Sequence, residues 1–236
     1  MNSRAAFSLL VLFTAGFCLV SHNAARAADA SSKSLAPREA ARQVDQQLAA
    51  EIPATASPQA APLVNDETFL RRISLDLIGR SPTPEQITRF VLDSDPDKRA
   101  KLTDRLLADD RYAENWGRYW RDVIFYRRTE ERALLAADAC TDYLTEQFKK
   151  NTPWDQIATA FTTATGDVIE HGEAGIILAQ GGETEGTVAE ISRIFLGIQI
   201  QCAQCHDHPT DRWKREQFHQ LAAFFPRVAL RPSMPG

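Results

Sequence analysis

From Asp66 onward the chain is written almost entirely in the helical period, and each apolar stripe is cut off by a turn signal before the next begins. Phe69, Leu70, Ile73, Leu77 and Ile78 form one face that ends at Gly79. Thr83-Pro84-Glu85-Gln86 then starts a new helix, with a hydroxyl N-cap, a proline tolerated in the first turn, and a Gln three residues after the cap. Asp95-Pro96 repeats the device ahead of Leu102, Leu106 and Leu107. Arg111 to Tyr126 is aromatic-rich (Tyr112, Trp116, Tyr119, Trp120, Phe125), and helical spacing assigns these rings to a core. Leu134 to Phe148 is a further amphipathic run, and Thr152-Pro153-Trp154-Asp155 opens a helix that fades near Gly166. Gly172 to Gly186 is glycine- and acid-rich, has no clear period and reads as a loop or a short irregular excursion. Thr187 to Ile200 is apolar and helical, and a last helix is expected from about Lys214 to Phe225. The fold class that follows is mostly α: an irregular multi-helix bundle, without internal repeats, carrying a glycine-rich loop before the segment Cys202 to His206.

The segments before Asp66 are different in kind. Arg4, the apolar stretch Ala5 to Val20 and Ala25-Arg26-Ala27 have the layout of a secretory signal with an A-x-A cleavage site, so residues 1–27 are expected to be removed. The protein is then exported, to the periplasm or the cell surface, and touches a membrane only if the signal is retained. Residues 28–62 read as a flexible leader, a short helix from Pro37 to Ile52, and an Ala/Pro linker. Residues 63–226 form the helical domain, and 227–236 a tail. Removing residues 1–27 takes away Arg4 and Arg26 and no acid, so the net charge moves from −4 to −6. With no basic stripe interleaved with aromatics, that balance argues against nucleic acid as a partner.

Cys202-Ala203-Gln204-Cys205-His206 carries the chemistry. Cys-x-x-Cys-His is the attachment signature of a c-type haem: two thiols three positions apart add to the vinyl groups, and the adjacent imidazole ligates the iron. Export fits that reading, because covalent haem attachment happens on the far side of the membrane. Asp207-His208-Pro209 follows at once and offers a second imidazole. Cys140 lies on an apolar-periodic stretch and is expected to be a buried, inert thiol.

The chain resembles a known family at many ordered positions. Arg71-Arg72-Ile73-Ser74-Leu75-Asp76-Leu77-Ile78-Gly79 and Pro82-Thr83-Pro84 are followed by Leu106-Leu107, Arg111-Tyr112, Trp116, Tyr119-Trp120, Asn151 to Asp155 and Phe195-Leu196-Gly197. Gln201 to Pro209, Trp213 and Leu221 to Phe225 complete the series. Together they resemble domain of unknown function 1549, a cytochrome-like domain of planctomycete surface and periplasmic proteins, over about residues 63–226. The resemblance implies no settled activity. It implies neighbours: a separate planctomycete c-type cytochrome domain on one side and a second domain of unknown function on the other. Neither is visible in this sequence, which reads as a stand-alone member or as a fragment of a longer protein. The aromatic usual after His-Pro is replaced by Thr210.

Three readings of the motif stay open at this point. In the first, Cys202 and Cys205 hold haem c covalently and His206 is the proximal ligand, for electron transfer with a redox partner or a neighbouring domain. His208 is too close to His206 to reach the opposite face, which leaves His171, His219 and Met234 as distal candidates. In the second, Cys202 and Cys205 share a zinc or other metal ion with His206 or His208 and with His219. In the third, Cys202 and Cys205 form a disulfide in an interaction domain. Asp207 and Asp211 serve as histidine orienters or as helix caps, and Trp213, Phe218, Phe224 and Phe225 as crevice walls or as core. A hydrolase using Glu183, Glu185 and Glu190 around a metal is the rival enzyme class, against the plainer reading of a solvated acidic loop.

Overall fold

The computed structural model describes residues 36–52 and 61–225. The signal segment, most of the Ala/Pro linker, the tail and Met234 lie outside the described residues. The chain divides into two compact units, Met1–Pro62 and Leu63–Gly236. In the first, helix α1 (Pro37–Glu51) has proline in its first turn and no buried residue. Among the described residues no helix is long and apolar enough to cross a membrane.

Among its described residues the regular elements of the second unit are all helices, built on two clusters of buried side chains. The smaller cluster joins α2 (Asp66–Ile78), α3 (Pro84–Leu92) and α4 (Lys98–Leu107) through Leu70, Ile78, Phe90, Leu102 and Leu106. Its start and stop signals are local. The Asn65 side chain accepts the Thr68 N–H at 2.9 Å, and Gly79 ends α2 at φ +66°. At Gly79 an added Cβ would stand 2.2 Å from Asn115 Oδ1, so both conformation and space demand glycine. Thr83 and Gln86 form the expected capping box at α3. Asp66 receives both Lys98 and Arg99 at 2.7 Å, which ties the start of α2 to the start of α4 and holds its carboxyl below the ordinary aspartate range.

The larger cluster packs α5 (Asp110–Phe125), α6 (Ala137–Lys149), α7 (Trp154–Thr163), α8 (Gly175–Ala179), α9 (Thr184–Phe195) and α10 (Arg215–Ala222). Gly117 lets α5 and α6 touch: a Cβ there would meet Thr145 Oγ1 at 2.4 Å and the Thr141 carbonyl at 3.2 Å. Phe161, Leu144, Ile176, Val188 and Phe218 are wholly buried in this core. Cys140 is wholly buried as well, and desolvation pushes its thiol up to about 12. The Trp120 and Trp154 rings pack at a 44° tilt with centroids 4.3 Å apart, so this part of the α5 aromatic stripe is core, although Tyr119 stays exposed.

Three segments differ from the sequence expectation. Glu131–Ala136 is a 3₁₀ turn, and Leu134 and Leu135 face solvent; only from Ala137 does α6 begin. Gly172 to Gly186 is no loose loop. It holds a 3₁₀ turn at Gly172–Ala174, helix α8 and the start of α9, and Gly172, Ala174, Gly175, Ile176, Ile177 and Ala179 are buried. Small residues make this possible, since a Cβ on Gly172 would overlap the Ala139 carbonyl. Finally, α9 stops at Phe195, and Gly197 at φ +67° turns the chain away, so Ile198 and Ile200 are not helical.

Candidate functional site

The Cys-x-x-Cys-His segment is therefore not the end of α9 but a separate single turn. Gln201–Gln204 is a 3₁₀ helix opened by the Ala203 N–H donating to the Ile200 carbonyl at 2.8 Å. Cys202 lies in this turn and Cys205 is its C-cap residue. Ala203 faces inward and is wholly buried, whereas Cys202, Cys205 and His206 are exposed. Both thiols are free. The turn thus pins its one small apolar residue into the core and presents three reactive groups to solvent.

The segment after it is fastened at both ends. Asp207 Oδ1 accepts the Arg215 N–H at 3.0 Å at the start of α10, and Oδ2 accepts Lys214 Nζ at 2.9 Å. The first of these, then the lysine, holds the Asp207 carboxyl below its ordinary value. The His208 N–H donates to the Trp213 carbonyl at 2.8 Å and closes the 208–213 loop. Gln217 Oε1 accepts the Lys214 N–H at 2.9 Å. Asp207 is thus a helix cap, and Asp211 bonds only its neighbour's amide, accepting the Arg212 N–H at 2.6 Å.

Backbone partners decide which imidazole nitrogen each histidine leaves open. His206 Nδ1 lies 2.7 Å from the Asp207 carbonyl oxygen. A carbonyl only accepts, so Nδ1 carries the proton, and the neutral ring keeps its lone pair on Nε2. His208 is the reverse: the Thr210 N–H donates to Nδ1 at 3.3 Å, which places the neutral ring's proton on Nε2. His219 spends Nε2 on the Gln204 carbonyl at 3.1 Å, joining α10 to the 3₁₀ turn. His171 belongs to another neighbourhood: its ring lies under Gly166 and Nδ1 is 3.7 Å from Glu173 Oε1. Among the described residues no three Cys, His, Asp or Glu side chains are grouped so as to hold a metal ion together.

The other sequence candidates divide the same way. Phe218 and Phe225 are buried, Trp213 is half-buried beneath Arg212 at 5.0 Å, and Phe224 is 82% exposed. Glu190 is buried and its carboxylate is taken by Arg193 at 2.6 Å, a structural ion pair, while Glu183 and Glu185 face solvent. Sequence reasoning missed Gln204, whose part is played by its backbone carbonyl and leaves no trace in residue type.

The chemistry available at this site is that of two outward thiols and one imidazole with an open Nε2. These residues fit a group that arrives from outside and is held from one side. A family model described as PSCyt2, protein of unknown function (DUF1549), matches residues 43–229. No curated protein matches, and no solved structure matches.

Proposed function

The chain belongs to the DUF1549 family, and on that premise we propose that it is an exported helical domain that binds haem c covalently and serves electron transfer. The observation that carries the reading is the free Nε2 of His206, set by its Nδ1–H···O=C bond to Asp207, beside two unpaired thiols on one turn. A hydrogen bond that fixes the tautomer of a ligating histidine and raises its basicity is the usual support of an iron or zinc imidazole. Cys202 and Cys205 would each add S–H across a vinyl double bond, forming a thioether with no net oxidation. His206 Nε2 would be the proximal ligand. The bound group would supply a one-electron iron couple. Ala203 keeps the turn anchored while its neighbours react, and Asp207 keeps the following loop joined to α10. The partner is then a redox protein or a neighbouring domain outside the cytoplasm.

The test is expression with residues 1–27 intact in a host that matures c-type cytochromes. The expected result is a protein beginning near Ala28 with haem that survives a denaturing gel and gives a Soret band. Cys202→Ala with Cys205→Ala should lose the covalent haem while the helical circular dichroism stays. A colourless protein refutes the proposal. One equivalent of zinc in it would indicate the metal reading, and loss of both titratable thiols the disulfide.

A further inference from the structure

A second site lies in the smaller cluster. Helices α2, α3 and α4, with the start of α5, line an open cavity of about 570 Å³, within the range that takes small organic ligands. Its floor is apolar, formed by Leu70, Ile78, Phe90 and Leu102, all buried. Its rim is basic: Arg80, Arg89, Arg105 and Arg111 line it against two acids, Asp93 and Asp109, in a chain whose net charge is −4. Two of the guanidiniums are spoken for. Arg111 Nε donates to Asp109 at 2.8 Å, and Arg89 pairs with Glu85 at 2.8 Å. Arg80 and Arg105 make no ion pair among the described residues.

Ser74 supplies an independent observation. It is the polar break in the buried stripe Leu70–Ser74–Ile78 of α2, it lines the cavity, and it is only 3% exposed. A stripe position inside a core is ordinarily filled by an apolar side chain, and here a small polar one stands in the cavity wall instead. A polar atom of a bound molecule could pair with its hydroxyl there.

We propose that this cavity binds a small amphiphilic anion. The apolar body lies on the Leu70–Phe90–Leu102 floor, the anionic head is held by Arg80 and Arg105, and Ser74 donates to or accepts from the ligand. Arginine suits the head because its planar fork pairs with carboxylate, sulfonate and phosphate oxygens alike. The site is independent of the cysteine motif and stands or falls separately from it.

The probe is 8-anilinonaphthalene-1-sulfonate, titrated by fluorescence into the full chain, with octanoate, octanol and inorganic phosphate as competitors. The expected result is saturable one-to-one binding that octanoate reverses, that octanol reverses at least tenfold less well, and that phosphate alone leaves intact. Arg80→Gln with Arg105→Gln should weaken binding at least tenfold at unchanged melting temperature. Ser74→Leu should fill the cavity and abolish binding; should that variant fail to fold, the surface arginine pair decides. Absent saturable binding, unchanged affinity in the arginine variant, or equal competition by octanol overturns the proposal. So does loss of binding in Phe224→Ala, which would place the probe in the apolar groove between α7, α9 and α10.

Discussion

Phe218→Ala tests the anchoring of the cysteine turn most directly. Phe218 is the one fully buried residue of α10, and it is wholly enclosed in the larger core. Through α10 it holds the Arg215 N–H in reach of Asp207 and His219 in reach of Gln204. Truncating a fully buried phenylalanine costs about 3–5 kcal/mol, the transfer term plus the cavity left behind. In a domain of this size each kcal/mol moves the melting temperature by about 2–4 °C, so the expected fall is roughly 6–20 °C. Because Phe218 is the one buried residue of α10, some of the loss can appear as local opening, in which α10 detaches before the bundle melts. The assay therefore pairs thermal circular dichroism with amide hydrogen exchange over Arg215–Ala222. Phe224→Ala is the control, since that ring is 82% exposed and its loss should stay within about 0.5 kcal/mol. A melting temperature within about 2 °C of the parent, together with unchanged exchange in α10, would refute the packing described.

Gly172→Ala should destabilise by about 2 kcal/mol or more, because its Cβ would stand 2.1 Å from the Ala139 carbonyl oxygen, a backbone atom that cannot swing away; calorimetry checks this, and a neutral result would mean the Gly172 turn does not pack on α6. A haem-free chain beginning at Ala28 should react with a thiol reagent at two positions when native, Cys202 and Cys205, and at a third, Cys140, only after denaturation. Two or more thiols hidden in the native state would contradict the exposure of the turn. Asp109, beside Arg111, and Glu130, beside Arg132, are both pulled down to about 2. Unfolded carboxylates titrate near 4, so this stability is complete above about pH 4 and drains away as the pH falls toward about 2. Urea melts between pH 5 and pH 2.5 should show that decline, and Asp109→Asn should flatten part of it.

What the sequence made legible is what short-range chemistry decides. The cap of α3 needs only Thr83, Pro84 and Gln86, and the end of α2 needs only a glycine after the stripe, so both stand where the residues put them. Gly172 to Gly186 went unrecognised because nothing periodic holds it in the core. Its helices are buried by close approach: a Cβ added to Gly175 would stand 3.0 Å from the Phe125 ring and one added to Gly172 would overlap the α6 backbone, and both partners are remote in sequence. Leu134 and Leu135 misled in the opposite sense: apolar side chains fitted a helical period, but a 3₁₀ turn re-phases the chain and turns them outward. At α9 the stop signal, Gly197, was in plain view, and the apolar Ile198 and Ile200 beyond it suggested a longer helix than forms.

The histidines show the same division at the site. Residue type alone makes His206, His208 and His219 equivalent, and the backbone makes them different. His206 is oriented by the carbonyl of the very next residue, which leaves its Nε2 open. His219 is oriented by Gln204, fifteen positions away, and its Nε2 is part of the clamp between α10 and the turn that bears the thiols. Under the proposed function His219 can serve as the distal ligand through Nε2 only by releasing that clamp, and through Nδ1 only by the nitrogen nearer its own helix. The two demands compete for one ring. No such conflict touches the proximal position, because the atom that fixes the His206 tautomer and the atom that would bind iron lie on opposite sides of its imidazole. His206 Nε2 is therefore the imidazole nitrogen that a bound group would find open beside the thiols, while His219 Nε2 would stay in the clamp that joins α10 to the turn.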